Sequence, residues 1–210
     1  MPIHDISAPL RADLPAWPGE DGMTRTVVAS QPNDPATVSH LAFGAHSGTH
    51  VDAPIHFLAD GGGVETMEVG AFVGRCFVAD LRHVTDSITG DDLEGASIPV
   101  DIVRILALTR NSGWSREDRV FNPDYVAYDL SAARWCVEDR VRLLGNDYLS
   151  IEPFDTEGHL VHKMLLGAGV AVLEGVDLVD VPPGRYDLVA LPVLVPGSDG
   201  APVRAVLIDS

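Results

Sequence analysis

Positive charge is scarce in this chain. Its 210 residues carry 14 lysines and arginines against 31 aspartates and glutamates, a formal net charge of −17. No stretch gathers the cationic side chains that phosphate contacts require, so nucleic acid and anionic membrane surfaces are not expected partners. Long apolar runs are missing too, and none approaches the ~20 residues a membrane-crossing helix needs. The opening Met1-Pro2-Ile3-His4-Asp5 lacks the basic and apolar regions of a secretory leader. A soluble, cytoplasmic protein is the expectation. Cysteine is nearly absent: Cys76 and Cys136, in the stretches Arg75-Cys76-Phe77-Val78 and Trp135-Cys136-Val137, each sit in an apolar neighbourhood, too few for a disulfide framework and suited to being buried, inert thiols.

What is present is a normal globular complement. Hydrophobic residues make up 46%, too many for a disordered chain despite the charge. The length suits one domain spanning residues 1–210. Residues 8–37, punctuated by five prolines, read as irregular loop with Thr26-Val27-Val28 as the best strand inside it. Cys76–Leu81 and Ile102–Leu108 have the β-branched character of buried strands. Thr89 before Gly90-Asp91-Asp92 reads as a helix cap with acids in the first turn. Asn122-Pro123 reads as a second helix start, with Val126, Leu130, Ala133, Val137, Val141 and Leu144 spaced by three and four until Gly145. A helix over Leu160–Leu166 is followed by strands at Val170–Glu174, Tyr186–Val195 and Val203–Ile208. Helices alternating with strands predict a mixed α/β fold.

One segment stands apart: His46-Ser47-Gly48-Thr49-His50-Val51-Asp52-Ala53-Pro54-Ile55-His56. Three of the eight histidines and an aspartate fall within eleven residues. Neutral imidazole and carboxylate are the usual protein donors to zinc or manganese. Fully extended, His46 to Asp52 would span about 20 Å, too far for one ion, so the chain must bend, and Gly48 tolerates the bend. His50 and Asp52, two apart, would face the same side of a strand. Pro54 fixes the backbone just before His56, which can stand clear of the metal.

The His46–His56 segment resembles the signature of the metal-dependent cyclase/hydrolase family that includes bacterial kynurenine formamidases and isatin hydrolases. Asp5-Ile6-Ser7 and Trp17-Pro18-Gly19 resemble its opening, His162 and Glu174 match further family ligands at the family's spacing, and Val181–Tyr186 with Ala201–Leu207 resemble its close. The resemblance implies an α/β fold, a single layered domain with a β-barrel-like mixed sheet core flanked by helices, assembled as a homodimer or higher homo-oligomer. It also implies two divalent metal ions per chain, zinc or manganese. His46, His50 and Asp52 would hold the first, Asp52 and Glu174 would bridge to the second, and His162 would complete it. His56 would be the catalytic proton donor and acceptor, and Trp17 would contact the aromatic substrate. His4, His40, His83 and His159 match nothing in the pattern and carry no assigned role.

The implied chemistry is hydrolysis of a small aryl amide or formamide, with N-formyl-L-kynurenine giving L-kynurenine and formate by attack of a metal-activated hydroxide. No Gly-x-Ser-x-Gly elbow supports a serine hydrolase instead. Residues 146–154 (Asn146-Asp147-Tyr148-Leu149-Ser150-Ile151-Glu152-Pro153-Phe154) depart from the Gly-Ile-Asp-Thr-Pro-Ser type of segment in the formamidases. That departure keeps open a cyclase or an isatin-type lactam hydrolase acting on another small cyclic or aromatic metabolite. A non-catalytic, metal-stabilised binding protein is the alternative from another class.

Overall fold

A nine-stranded mixed sheet organises the chain. The computed structural model describes residues 1–117, without the Glu117 side chain, and 120–209. Across the sheet the strands run Ile3–Asp5, Val206–Asp209, Gly184–Val189, Val73–Asp80, Arg104–Leu108, Leu143–Gly145, Ala171–Glu174, His50–Asp52 and Gly200–Pro202. The four central strands from Val73–Asp80 to Ala171–Glu174 are parallel, and the remaining pairings are antiparallel. Parallel central strands need apolar side chains on both faces, and the sequence supplies them.

Alternation along each strand sorts those side chains into two cores. Ile105, Leu144 and Val172 face one apolar cluster, whereas Leu106, Leu143 and Leu173 face the other. The first cluster is closed by Leu93 of helix Gly90–Gly95, by Ala132, Ala133 and Cys136 of helix Leu130–Glu138, and by Val161, Leu165 and Leu166 of helix Leu160–Gly167. The second fills the inside of the curled sheet with Ile6, Val51, Val78, Leu188 and Leu207. Each fully buried aliphatic side chain of this kind contributes about 1.5–3 kcal/mol. The layered α/β architecture expected from the sequence is therefore present. Cys76 and Cys136 are free, buried in different clusters, and burial pushes both thiols up to about 12. No helix among the described residues is long and apolar enough to cross a membrane.

Three expected elements are corrected. The single helix read from Asn122-Pro123 to Gly145 is a strand at Ala127–Tyr128, a helix at Leu130–Glu138 and a strand at Leu143–Gly145. Asp129 caps that helix, its carboxylate accepting from the Ser131 and Ala132 amides, and Ala127–Tyr128 pairs with Ser87–Ile88 instead. The strand read over Tyr186–Val195 ends at Val189, and the closing one read over Val203–Ile208 forms at Val206–Asp209, with a separate short strand before it at Gly200–Pro202. Thr89 does cap a helix, through a reciprocal hydrogen-bonded box with Asp92.

Candidate active site

His50–Asp52 is a short, wholly buried strand held between Ala171–Glu174 and Gly200–Pro202. Val51 turns into the inner core, so His50 and Asp52 face the other side together. The register sets Glu174 opposite His50. Helix Leu160–Gly167 packs over this face and lowers His162 onto it. His46 arrives from the turn before the strand, where Gly48 takes a φ of +65°. Five side chains from four separate places in the chain thereby meet.

The distances are short. His46 Nδ1 lies 2.9 Å from Asp52 Oδ1. His162 Nε2 lies 3.2 Å from Glu174 Oε1 and 3.4 Å from Asp52 Oδ2. His50 Nδ1 is 2.9 Å from the Gly48 carbonyl, which can only accept, so that nitrogen carries the hydrogen. Its Nε2 then faces the acids, 3.1 Å from Glu174 Oε2 and 3.6 Å from Asp52 Oδ1. His46, His50 and Asp52 each bring one donor atom within 4.8 Å of the others, and so do Asp52, His162 and Glu174. Asp52 belongs to both groups.

Buried carboxylates without enough partners are costly, and this site keeps two of them 1% and 3% exposed. His50 Nε2 and Asp52 Oδ2 have no hydrogen-bond partner although both are buried. Burial opposes charge on the imidazoles, yet the carboxylates prevail. Asp52 above all lifts His46 to about 9, and Glu152 with Glu174 lifts His162 to about 10. Burial would raise Glu174, but His162 and His50 hold its carboxyl well below the usual range. The unpartnered His50 Nε2 and Asp52 Oδ2 and the two groups of imidazole and carboxylate donors fit a divalent ion of the zinc or manganese kind.

His56 stands beside this cluster on the turn Pro54–His56. Its ring stacks on His46 with centroids 3.9 Å apart at 26°, and Nδ1 lies 3.7 Å from Asp199 Oδ2. Burial, the largest influence on it, brings its pKa below 6.5. The cavity above the cluster, of about 280 Å³, is walled by Trp17, Phe57, Leu149, Pro153 and Phe154. Trp17 is itself held by Phe121 and Phe154, with ring centroids 5.1 and 5.3 Å away.

Three residues with no assigned role in the sequence reading join the site. Asp199 Oδ2 sits 3.0 Å from His46 Nε2, and Asp199, His46 and His56 make a further group of potential donors. Glu152 is 2% exposed and contacts both His162 and His159. His159, the residue before helix Leu160–Gly167, has a left-handed backbone (φ 51°) and lines the cavity. Asp199 and Glu152 carry no local signal, whereas His159 is visible in the sequence only as a histidine three residues before His162.

Known proteins share this architecture. The Cyclase family model, described as "Putative cyclase", matches residues 4–153. A kynurenine formamidase of Salinibacter ruber is 36% identical over 216 residues, covering 100% of this chain and 99% of its own. A solved structure described as a "Potential Metal-Dependent Hydrolase With Cyclase Activity" superposes with a TM-score of 0.86 at 35% identity, covering 98% of this chain and 96% of that one. Isatin hydrolase A of Labrenzia aggregata superposes with a TM-score of 0.81 over 100% of this chain and 94% of its own, and at 22% identity it speaks for the fold alone.

Proposed function

This chain belongs to the Cyclase family, and on that premise we propose that it is a metal-dependent hydrolase of small aryl amides, cleaving N-formyl-L-kynurenine to L-kynurenine and formate. The observation that carries this reading is the sharing of Asp52 between two buried donor groups. The full-length likeness to a kynurenine formamidase supports an N-formyl aryl amine as substrate.

His46, His50 and Asp52 would hold one divalent ion, and Asp52, His162 and Glu174 the other, with zinc and manganese both suited to these donors. Such ions, when bound, bring the pKa of coordinated water toward ~7 and place positive charge where the carbonyl oxyanion develops. Trp17, Phe57 and Phe154 flank the aryl ring and keep bulk water from it. Hydrolysis adds the elements of water across the formyl carbon–nitrogen bond, and the departing aryl nitrogen needs a proton. His56 supplies it. With Nδ1 turned toward Asp199, Nε2 is the nitrogen left to pass the proton, and a pKa held down by burial favours giving it up.

A second reading, hydrolysis of a cyclic amide, is supported by the 146–154 segment, which sets Pro153 and Phe154 in the cavity wall. A homodimer is part of the proposal. The hairpin Thr24–Ala29/Val38–Ala42 supports it, because it leaves Val27, Val28, Val38 and Leu41 about half exposed.

Metal analysis of the purified protein, followed by assay of N-formylkynurenine, formanilide and isatin, tests both readings. Two equivalents of zinc or manganese and saturable formamide hydrolysis are expected. Preferential turnover of isatin moves the assignment to the second reading. A metal-loaded protein that hydrolyses no amide is a binding protein, and the proposal fails.

A further inference from the structure

The cavity above the donor cluster is lined by three glutamates, and two of them are fully engaged. Glu174 faces His50 and His162 and accepts from the Ile151 amide. Glu152 accepts from His159 and from the Val161 amide and lies against His162. The third, Glu20, is exposed, and its carboxylate makes no hydrogen bond or ion pair to a described residue. It lines both the cavity and the open groove leading to it, beside Asp199 and Phe43. No lysine or arginine lines either space among the described residues.

Glu20 is not loosely placed. Its amide donates to the Trp17 carbonyl at 3.0 Å, and Gly19 between them has a φ of +94°. Trp17-Pro18-Gly19-Glu20 is therefore a type II turn, with proline and glycine at the two positions that demand them. The turn presents an aromatic ring at one end and an unpaired carboxylate at the other, both toward the same cavity. Trp17 is braced by Phe121 and Phe154, so the ring and the turn that carries Glu20 are held in place by the fold. Because Trp17 and Glu20 line the same cavity, an aryl group lying against Trp17 can turn a side chain toward Glu20. In a chain of net charge −17, and with no cationic lining residue described, that side chain meets a negative field.

We infer that Glu20 is a specificity-determining residue of this site, its carboxylate pairing with a cationic amine on the side chain of the aryl amide. The inference rests on the hydrolase reading of the same site and assigns a residue to recognition of the substrate's side chain. A ring with only an anionic side chain is disfavoured, and an uncharged ring gains nothing from Glu20.

The test compares metal-loaded wild type with Glu20→Gln on three formanilides: unsubstituted, ortho-aminoalkyl and ortho-carboxyalkyl. Wild type should favour the amine over the unsubstituted compound by about five-fold in kcat/KM, the scale of one partly solvated ion pair. The preference should sit in KM and shrink with added salt. Glu20→Gln should abolish it, bringing kcat/KM on the amine down to that on the unsubstituted compound. Equal losses on all three substrates, or no amine preference in wild type, overturn the inference. If no formanilide is hydrolysed, the hydrolase reading fails, and Glu20 is judged by calorimetric binding of the corresponding anilines. Tighter binding of the aminoalkyl aniline, lost in Glu20→Gln, sustains the inference, and equal binding ends it.

Discussion

Oε1 of Glu152 lies 3.0 Å from Nδ1 of His162, off the line of an ideal hydrogen bond but close enough to fix which imidazole nitrogen turns toward Asp52 and Glu174. The same oxygen accepts from His159 Nδ1 at 2.7 Å, and Oε2 accepts from the Val161 amide at 3.1 Å. Glu152 thus caps the helix that carries His162 and orients the ring it delivers. Carboxylates behind metal-binding histidines typically carry 10- to 100-fold in metal affinity. Glu152→Ala should weaken metal binding by roughly that range, read by chelator competition, and lower Tm because the Val161 amide loses its partner. Glu152→Gln keeps an acceptor oxygen and should fall between. Unchanged metal affinity in Glu152→Ala would remove the orienting role.

His56 is stacked on His46 yet belongs to neither of the donor groups that contain Asp52. The variant His56→Ala should therefore keep its full metal content. Its kcat on an aryl formamide should fall by about 10²–10⁴, the usual contribution of a positioned general acid or base. Metal quantification and steady-state kinetics on one preparation check both halves. Full activity in His56→Ala would reassign the proton transfer.

Local pattern carried much of this structure and failed at identifiable places. Cys76–Leu81 and Ile102–Leu108 were legible as strands because central parallel strands are apolar on both faces, and the chain forms them at Val73–Asp80 and Arg104–Leu108. The spacing from Val126 to Leu144 misled. Val126, Ala133, Val141 and Leu144 are all buried in one cluster, but they reach it from the residue before a strand, from a helix, from a loop and from a second strand. Burial alone produced the helical period. His46, His50, Asp52 and His56 were visible as a group because they are adjacent in sequence. Asp199 was not, since only the pairing of Gly200–Pro202 with His50–Asp52 brings it back. Glu152 reads as a surface acid until the helix it caps is packed over it.

Metal removal should be felt by the fold itself. Asp52 is 1% and Glu174 3% exposed, and a cation between them relieves charge that the apo protein must offset by protonating its imidazoles. Loading with zinc or manganese at 100 times Kd should stabilise the chain by about 2.7 kcal/mol, seen as a rise in Tm that EDTA reverses. Because Asp52 serves both donor groups, Asp52→Asn should lose most of this response. His56→Ala should retain it. A Tm indifferent to metal in the wild-type protein would count against the assigned ligands.

Thr49, between Gly48 and His50, is 2% exposed and ties three segments together. Its Oγ1 accepts from the Ala8 amide at 2.7 Å and donates to the Gly175 carbonyl at 2.7 Å. These bonds pin the irregular N-terminal segment and the residue after Glu174 to the strand that carries His50 and Asp52. Thr49→Val keeps the shape but leaves a buried donor and a buried acceptor unpaired, each costing about 1–3 kcal/mol. Chemical denaturation should show a loss of about 2–4 kcal/mol, with metal affinity reduced as Glu174 loses its anchor. Thr49→Ser retains the oxygen and gives up only a methyl group, so it should recover most of the stability and all of the metal binding. Equal losses in the two variants would mean that packing of the methyl, not the hydroxyl, holds these segments together.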